Sequence, residues 1–145
     1  MAHSYLLQPL VWTAQGTYYD GEGHAFPLTG QSRLRRGDGL WQLEGEMAVA
    51  APQPLKFWNN YTISRAEDPS TLRWTSYNPA LGTLTGTFTF VADCIISVYA
   101  SQGGTYSGTE TLWLQADGSY YNAGVSLCRG SRMSSWTAVL RAAAQ

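Results

Sequence analysis

The chain carries few charges and few of the residues that usually bind metals. Only 13% of its 145 residues are charged, and nine basic side chains against ten acidic ones leave a net charge of −1. A nucleic-acid surface needs an excess of Lys and Arg to neutralise phosphates, so no nucleic-acid partner is expected. Lys56 is the single lysine, beside eight arginines. Arg33, Arg35 and Arg36 form the one basic cluster and read as a solvated strand end. Histidine occurs twice, at His3 and His24, both early. A catalytic zinc or iron site usually draws on more His or Cys than this, so no metal is expected. The same scarcity argues against a Ser-His-Asp triad. Asp20, Glu22 and His24 alternate as metal ligands can, but the glycines between them mark a turn.

Long apolar runs are missing too. Nothing approaches the ~18 residues of a membrane span, and the opening MAHSYLLQPLVW lacks a basic region, an apolar core and a cleavage site. No membrane partner is expected, and the expected location is cytoplasmic. Asn60-Tyr61-Thr62 matches the glycosylation pattern, but it falls within an expected strand and without a secretory context. GxSxG, the P-loop, the Rossmann glycines and CxxC are all absent, so no cofactor is expected.

What the chain does have is turns. DGEG at 20–23, RGDG at 36–39, EDPS at 67–70, NPALG at 78–82, SQGG at 101–104, ADGS at 116–119 and RGS at 129–131 divide it at near-regular intervals. Strands spaced by about 8–12 residues with such turns indicate an all-β barrel or sandwich. The expected strands are 10–19, 25–35, 40–49, 55–64, 72–77, 84–91, 93–101, 106–115, 119–128 and 132–141, with 142–144 as a short tail. The expected fold is one domain over 1–145, a single antiparallel up-and-down β-barrel of about ten strands with an internal cavity. In such a meander Cys94 opens the seventh strand and Cys128 closes the ninth. They then lie near opposite rims, beyond the ~7 Å reach of a disulfide, and both are expected to be free thiols.

Alternate residues of a strand face opposite sides. Leu84, Gly86, Phe88 and Phe90 share an apolar face in the sixth strand, with Thr85, Thr87 and Thr89 on the other. Trp41, Leu43, Gly45, Met47 and Val49 point inward in the third. Leu55, Phe57, Asn59, Tyr61 and Ile63 share a face in the fourth, and Tyr106, Gly108, Glu110, Leu112 and Leu114 in the eighth. The seventh strand is apolar on both faces and leaves its inner side open. Met133, Ser135, Thr137 and Val139 are taken as one face of the last strand. Gly86 and Gly108 read as bends that help the barrel close.

Polar groups on these apolar faces are the candidate site, because buried polar groups need partners and small-molecule sites combine apolar walls with a few convergent polar groups. The expected lining is Asn59, Tyr61, Trp74, Tyr99 and Glu110, with Phe57, Phe88 and Leu112 as apolar walls. The expected partner is a small, largely apolar or aromatic molecule. Trp and Tyr suit a flat, partly polar ligand and equally a packed barrel. Glu110, if inward and dry, would have a raised pKa and could act as acid or base. It could instead be paired with an inward Arg or Tyr, or turned outward by a bulge at Gly108. The alternative to binding is a cofactor-free isomerase, cyclase or lyase, with Glu110 as general acid or base and Tyr61 or Tyr99 holding an oxyanion. Whether the chain is an enzyme stays open, as does a homodimer formed through outward tryptophans.

Trp12, Gly16 and Tyr18, followed by the long meander, resemble the start of calycin-type barrels such as lipocalins, fatty-acid-binding proteins and nitrobindin-like domains. That resemblance implies an apolar ligand inside the barrel. Nitrobindin-like domains hold haem through a late histidine, and here no His follows His24. Trp58-Asn59-Asn60-Tyr61 with Trp74-Thr75-Ser76 is similar to avidin-type barrels, without the rest of that pattern. Some bilin-attaching lyases and cofactor-free cyclases use barrels of this kind, and that similarity keeps the enzyme alternative alive.

Overall fold

The computed structural model describes residues 2–143. Ten strands follow one another: β1 (Val11–Tyr19), β2 (Ala25–Arg36), β3 (Trp41–Val49), β4 (Leu55–Arg65), β5 (Thr71–Asn78), β6 (Gly82–Val91), β7 (Cys94–Ser101), β8 (Tyr106–Leu114), β9 (Tyr120–Cys128) and β10 (Ser131–Ala142). Each pairs antiparallel with its sequence neighbours, and β1 pairs with β10, so the sheet is a closed up-and-down barrel. No helix is present among the described residues. The expected tail shrinks, because Ala142 belongs to β10 and Ala144 lies outside the described residues.

Closure brings the period-two pattern to one interior. Leu34 pairs with Leu43, Leu43 with Tyr61 and Ile63 with Trp74. Further round, Phe88 pairs with Ser97, Ile95 with Leu112 and Tyr120 with Leu140. The register settles the open face of β7: Ile95, Ser97, Tyr99 and Ser101 point in. Removing side chains such as Ile95, Leu112 and Tyr120 from water stabilises the fold by roughly 1.5–3 kcal/mol each before entropy is counted.

The expected face of β10 is wrong by one residue. A β-bulge lies between Arg132 and Ser134. A bulge inserts one unpaired residue and so reverses the alternation beyond it. Ser134, Trp136, Ala138 and Leu140 therefore point inward, and Ser135, Thr137 and Val139 face out. No such irregularity occurs at Gly108 or Gly86, where the ladders run unbroken.

One end of the barrel is plugged by residues ahead of β1, a segment for which the turn pattern predicted nothing. Ser4 to Gln8 form a turn, with the Leu7 and Gln8 amides donating to the Ser4 carbonyl. Tyr5 and Leu6 are buried by it. Leu6 adopts a φ of 68°, a conformation costly for a branched residue; its fully buried side chain offsets that cost. His3 anchors the plug, with its Nε2 2.8 Å from the Ala92 carbonyl and its Nδ1 2.8 Å from the Tyr120 hydroxyl. A carbonyl only accepts, so Nε2 carries the proton, and in the neutral ring Nδ1 accepts from Tyr120. Tyr5, Trp12 and Tyr120 meet with ring centroids 5.4–5.9 Å apart.

Cys94 and Cys128 are free and lie on non-adjacent strands. Asp20 and His24 form a turn: the Asp20 carboxylate accepts from the Glu22 and His24 amides at 2.9 Å. Arg33 and Arg35 are exposed, with Arg35 3.7 Å from Glu44. Trp58 and Trp113 stand on the outside, 63% and 56% exposed, where a second molecule could reach them.

Candidate functional site

Away from the plug the interior is hollow. A cavity of about 460 Å³ occupies the open half of the barrel, within the usual range for small-molecule sites. It has room because many inward positions are small: Ala14, Gly30, Gly45, Ser126, Ser134 and Ala138 all border it. Its floor is Tyr5 and Trp12, and its mouth includes Tyr18, Leu81 and Met133. The Asn78 side chain fixes one lip by accepting from the amides of Ala80 and Leu81 at 2.8 and 3.2 Å.

The inward glycines do more than bend the strands. A Cβ on Gly86 would stand 2.6 Å from the Trp74 ring, and one on Gly108 or Gly124 would collide with the ring of Tyr99 or Trp136. Each aromatic ring therefore lies along the wall over the glycine of a neighbouring strand. That arrangement keeps the lumen open while lining it with π faces.

Phe57, Asn59, Tyr61, Trp74, Tyr99 and Glu110 border the cavity. Phe88 and Leu112 do not. They point inward as expected but sit deeper, 3% and 0% exposed, in the packed layer toward the plug. The correction has a simple cause: alternation gives the face of a residue, and only the tilt and stagger of the strands give its height. Asn122 and Trp136 belong to the wall and were not anticipated. The run Trp136, Ala138, Leu140 was the available signal, masked by the bulge.

Each wall tyrosine or tryptophan has a defined neighbour. The Trp74 indole N–H donates to Ser97 Oγ at 3.3 Å. The Tyr99 and Ser126 hydroxyls share a hydrogen bond at 2.8 Å. The Trp136 indole N–H donates to Asn122 Oδ1 at 3.0 Å, and Asn122 Nδ2 donates to the Thr111 carbonyl at 3.1 Å. Tyr61 packs on Trp74 with ring centroids 4.6 Å apart. The hydroxyl of Ser76, next inward on β5, is buried with no partner among the described residues.

Glu110 lies inward on β8, opposite Ser97 and Gly124. Burial pushes its carboxyl up to about 7, against the opposing pull of the Asn122 amide and the Trp136 indole. Burial and then the nearby Glu110 raise the Tyr61 phenol far above its ordinary range. Tyr5 and Tyr99 shift the same way, burial first, with Glu110 contributing and the Ser32 and Ser126 hydroxyls opposing, respectively. The three phenols thus stay neutral hydrogen-bonding groups around one titrating carboxyl. Among the described residues, no cluster of three or more His, Cys, Asp or Glu forms a metal cradle.

A second hollow of about 690 Å³ lies outside the barrel, against Arg33, Glu44, Trp58 and Tyr77. It is open to solvent and bears charge, so the interior cavity is the better site despite its smaller volume. The two share Gln31, Ser32, Gly45, Glu46 and Asn59. Here β4 and β5 part, their pairing beginning only at Tyr61 and Ser76, so the wall is thin.

No protein-family model matches the chain, and no curated protein matches it. Among solved structures it is similar to a protein from Nitrosomonas europaea described as a candidate AttH. Identity is 9%, coverage is 96% of this chain and 51% of that one, and the TM-score is 0.31. The chain spans about half the length of that protein. A likeness this faint carries no argument about function.

Proposed function

We propose that the barrel binds a small, largely apolar or aromatic molecule in its interior, in the manner of a calycin-type container. The observation that carries the reading is the cavity itself: about 460 Å³, walled by aromatic and aliphatic side chains, with a few polar groups among them, Asn59, Glu110, Asn122 and Ser126 included. The test is native mass spectrometry of the purified protein, followed by denaturing extraction and a fluorescence screen with aromatic probes. Trp12, Trp74 and Trp136 border the cavity, so an occupant should quench intrinsic emission. A co-purifying small molecule, or saturable quenching lost in Tyr61→Ala, is the expected result. An empty protein that no probe quenches at millimolar concentration would sink the reading.

A second reading is favoured by the carboxyl poised near 7. A general acid or base works best near the operating pH. Glu110 would remove a proton from a bound carbonyl compound and return it at another carbon, while the Tyr61 or Tyr99 hydroxyl donates to the developing oxyanion. Under this reading Glu110→Gln keeps binding and abolishes turnover.

A further inference from the structure

We propose that the preferred ligand is a cation: an apolar or aromatic molecule bearing one ammonium group, seated against Glu110 between the aromatic walls. This inference rests on the container reading above. Three observations support it.

The first is the charge of the wall. Lys, Arg and His are absent from the residues bordering the cavity, and Glu110 is its one inward carboxylate. Glu46, the other carboxylate at its edge, faces outward and is exposed. An anionic ligand would meet no counter-charge, whereas a cation would meet one.

The second is the state of the nearest donors. The Trp136 indole donates to Asn122, and the Asn122 amide donates to the Thr111 carbonyl. Both also lie beside Glu110 and pull its carboxyl down, but they are neutral, and no cationic side chain borders the cavity to balance the charge. A buried carboxylate held only by neutral donors is costly, and an incoming ammonium would supply the missing counter-charge.

The third is the aromatic surround. Trp74, Tyr61, Tyr99 and Trp136 present rings to the same space, and the negative face of an aromatic ring attracts cations. A carboxylate set among several π faces is the chemistry that recognises organic ammonium groups. The single charge limits the ligand to one ammonium.

The groups facing Glu110 are Tyr5 from the plug, Tyr61 from β4, Tyr99 from β7, Asn122 from β9 and Trp136 from β10. The phenols stay neutral through the working range, so Glu110 alone sets the pH dependence. Ammonium binding should strengthen as pH rises through its titration near 7.

The experiment compares a (naphthylmethyl)trimethylammonium ion with its neutral carbon isostere, in which a tert-butyl group replaces the ammonium. Affinities are measured by tryptophan quenching at pH 5.5 and 8.5, for wild type and Glu110→Gln. Neither probe titrates, so any pH effect belongs to the protein. At pH 8.5 wild type should favour the ammonium by about tenfold or more, a typical scale for a desolvated cation–π contact with charge support. The preference should shrink at pH 5.5 and fall in Glu110→Gln, at both pH values, to the roughly two- to fivefold that the rings alone supply. Equal binding of the two probes at pH 8.5 would overturn the cation and leave the container standing. A preference that stays at its wild-type pH 8.5 level in Glu110→Gln would place the recognising charge elsewhere and overturn it as well. If neither probe binds, this inference falls, and the container reading is decided separately by the co-purification and probe screen above. Should Glu110→Gln not fold, the wild-type preference must still rise with a midpoint near 7; a flat profile overturns the proposal.

Discussion

The two halves of the barrel interior use the same strands and the same alternation, yet one is solid and the other hollow. Toward the plug the inward positions hold Leu34, Ile63, Phe88, Ile95, Leu112 and Tyr120, all buried. Toward the mouth they hold glycine, alanine and serine between rings that lie flat on the wall. Packing is concentrated in the first half, and open space with the candidate site in the second. Closing a barrel is thus separable from filling it.

Truncating each half should break the comparison most sharply. Leu112→Ala removes a side chain with no exposed surface and should destabilise by about 3–4 kcal/mol in denaturant melts, as buried Leu→Ala changes do. Phe57→Ala, on the cavity wall, should cost about 1 kcal/mol, because its loss enlarges an existing hollow. Equal losses would mean that the cavity collapses in solution.

Filling the hollow half comes next. Gly86→Ala places a methyl 2.6 Å from the Trp74 ring and 2.7 Å from the Val98 carbonyl. The ring must swing into the lumen, at a cost of about 2 kcal/mol. Calorimetry should show the destabilisation, and probe quenching should show a smaller cavity. A variant as stable and as roomy as wild type would remove the glycine-under-ring account.

Glu110 sharpens the comparison through pH. Its folded pKa, about 7, lies above the ordinary 4.5, so the folded state holds the proton more tightly. The stability this contributes is complete below pH 4.5 and is lost as pH rises through 7. Glu110→Gln should therefore flatten the stability profile across that window. At pH 8 it should be more stable than wild type, by on the order of 2 kcal/mol. A variant less stable at every pH would mean that the carboxylate is paired.

The smallest effect belongs to the thiols. Cys94 and Cys128 are both free, so thermal melts with and without reductant should coincide. A reductant-dependent melt would contradict the strand order itself.

The fold was legible because the signals are local. Turns such as Asn78–Leu81 close through their own side chains, and alternation in β3, β4, β6 and β8 points one way without ambiguity. Six of the eight expected lining residues reach the cavity for the same reason. Three things stayed hidden. The bulge beside Met133 has no glycine or proline to announce it, and it reversed β10, hiding Trp136. The height of Phe88 and Leu112 depends on the stagger of all ten strands. The plug is a short apolar stretch, Tyr5 to Leu7, whose turn is held by distant partners such as Tyr120 and Ala92.

The seam between β1 and β10 joins Trp12 to Ala142 and Tyr19 to Ser135, strands made first and last. At ribosomal speeds of roughly 5–20 residues per second, β1 waits on the order of ten seconds for its partner. Until then the growing sheet has two bare edges and an uncovered interior. The vulnerable moment of this protein is thus in its synthesis: a change that slows arrival of the last strand should lower soluble yield while leaving the finished barrel unaltered.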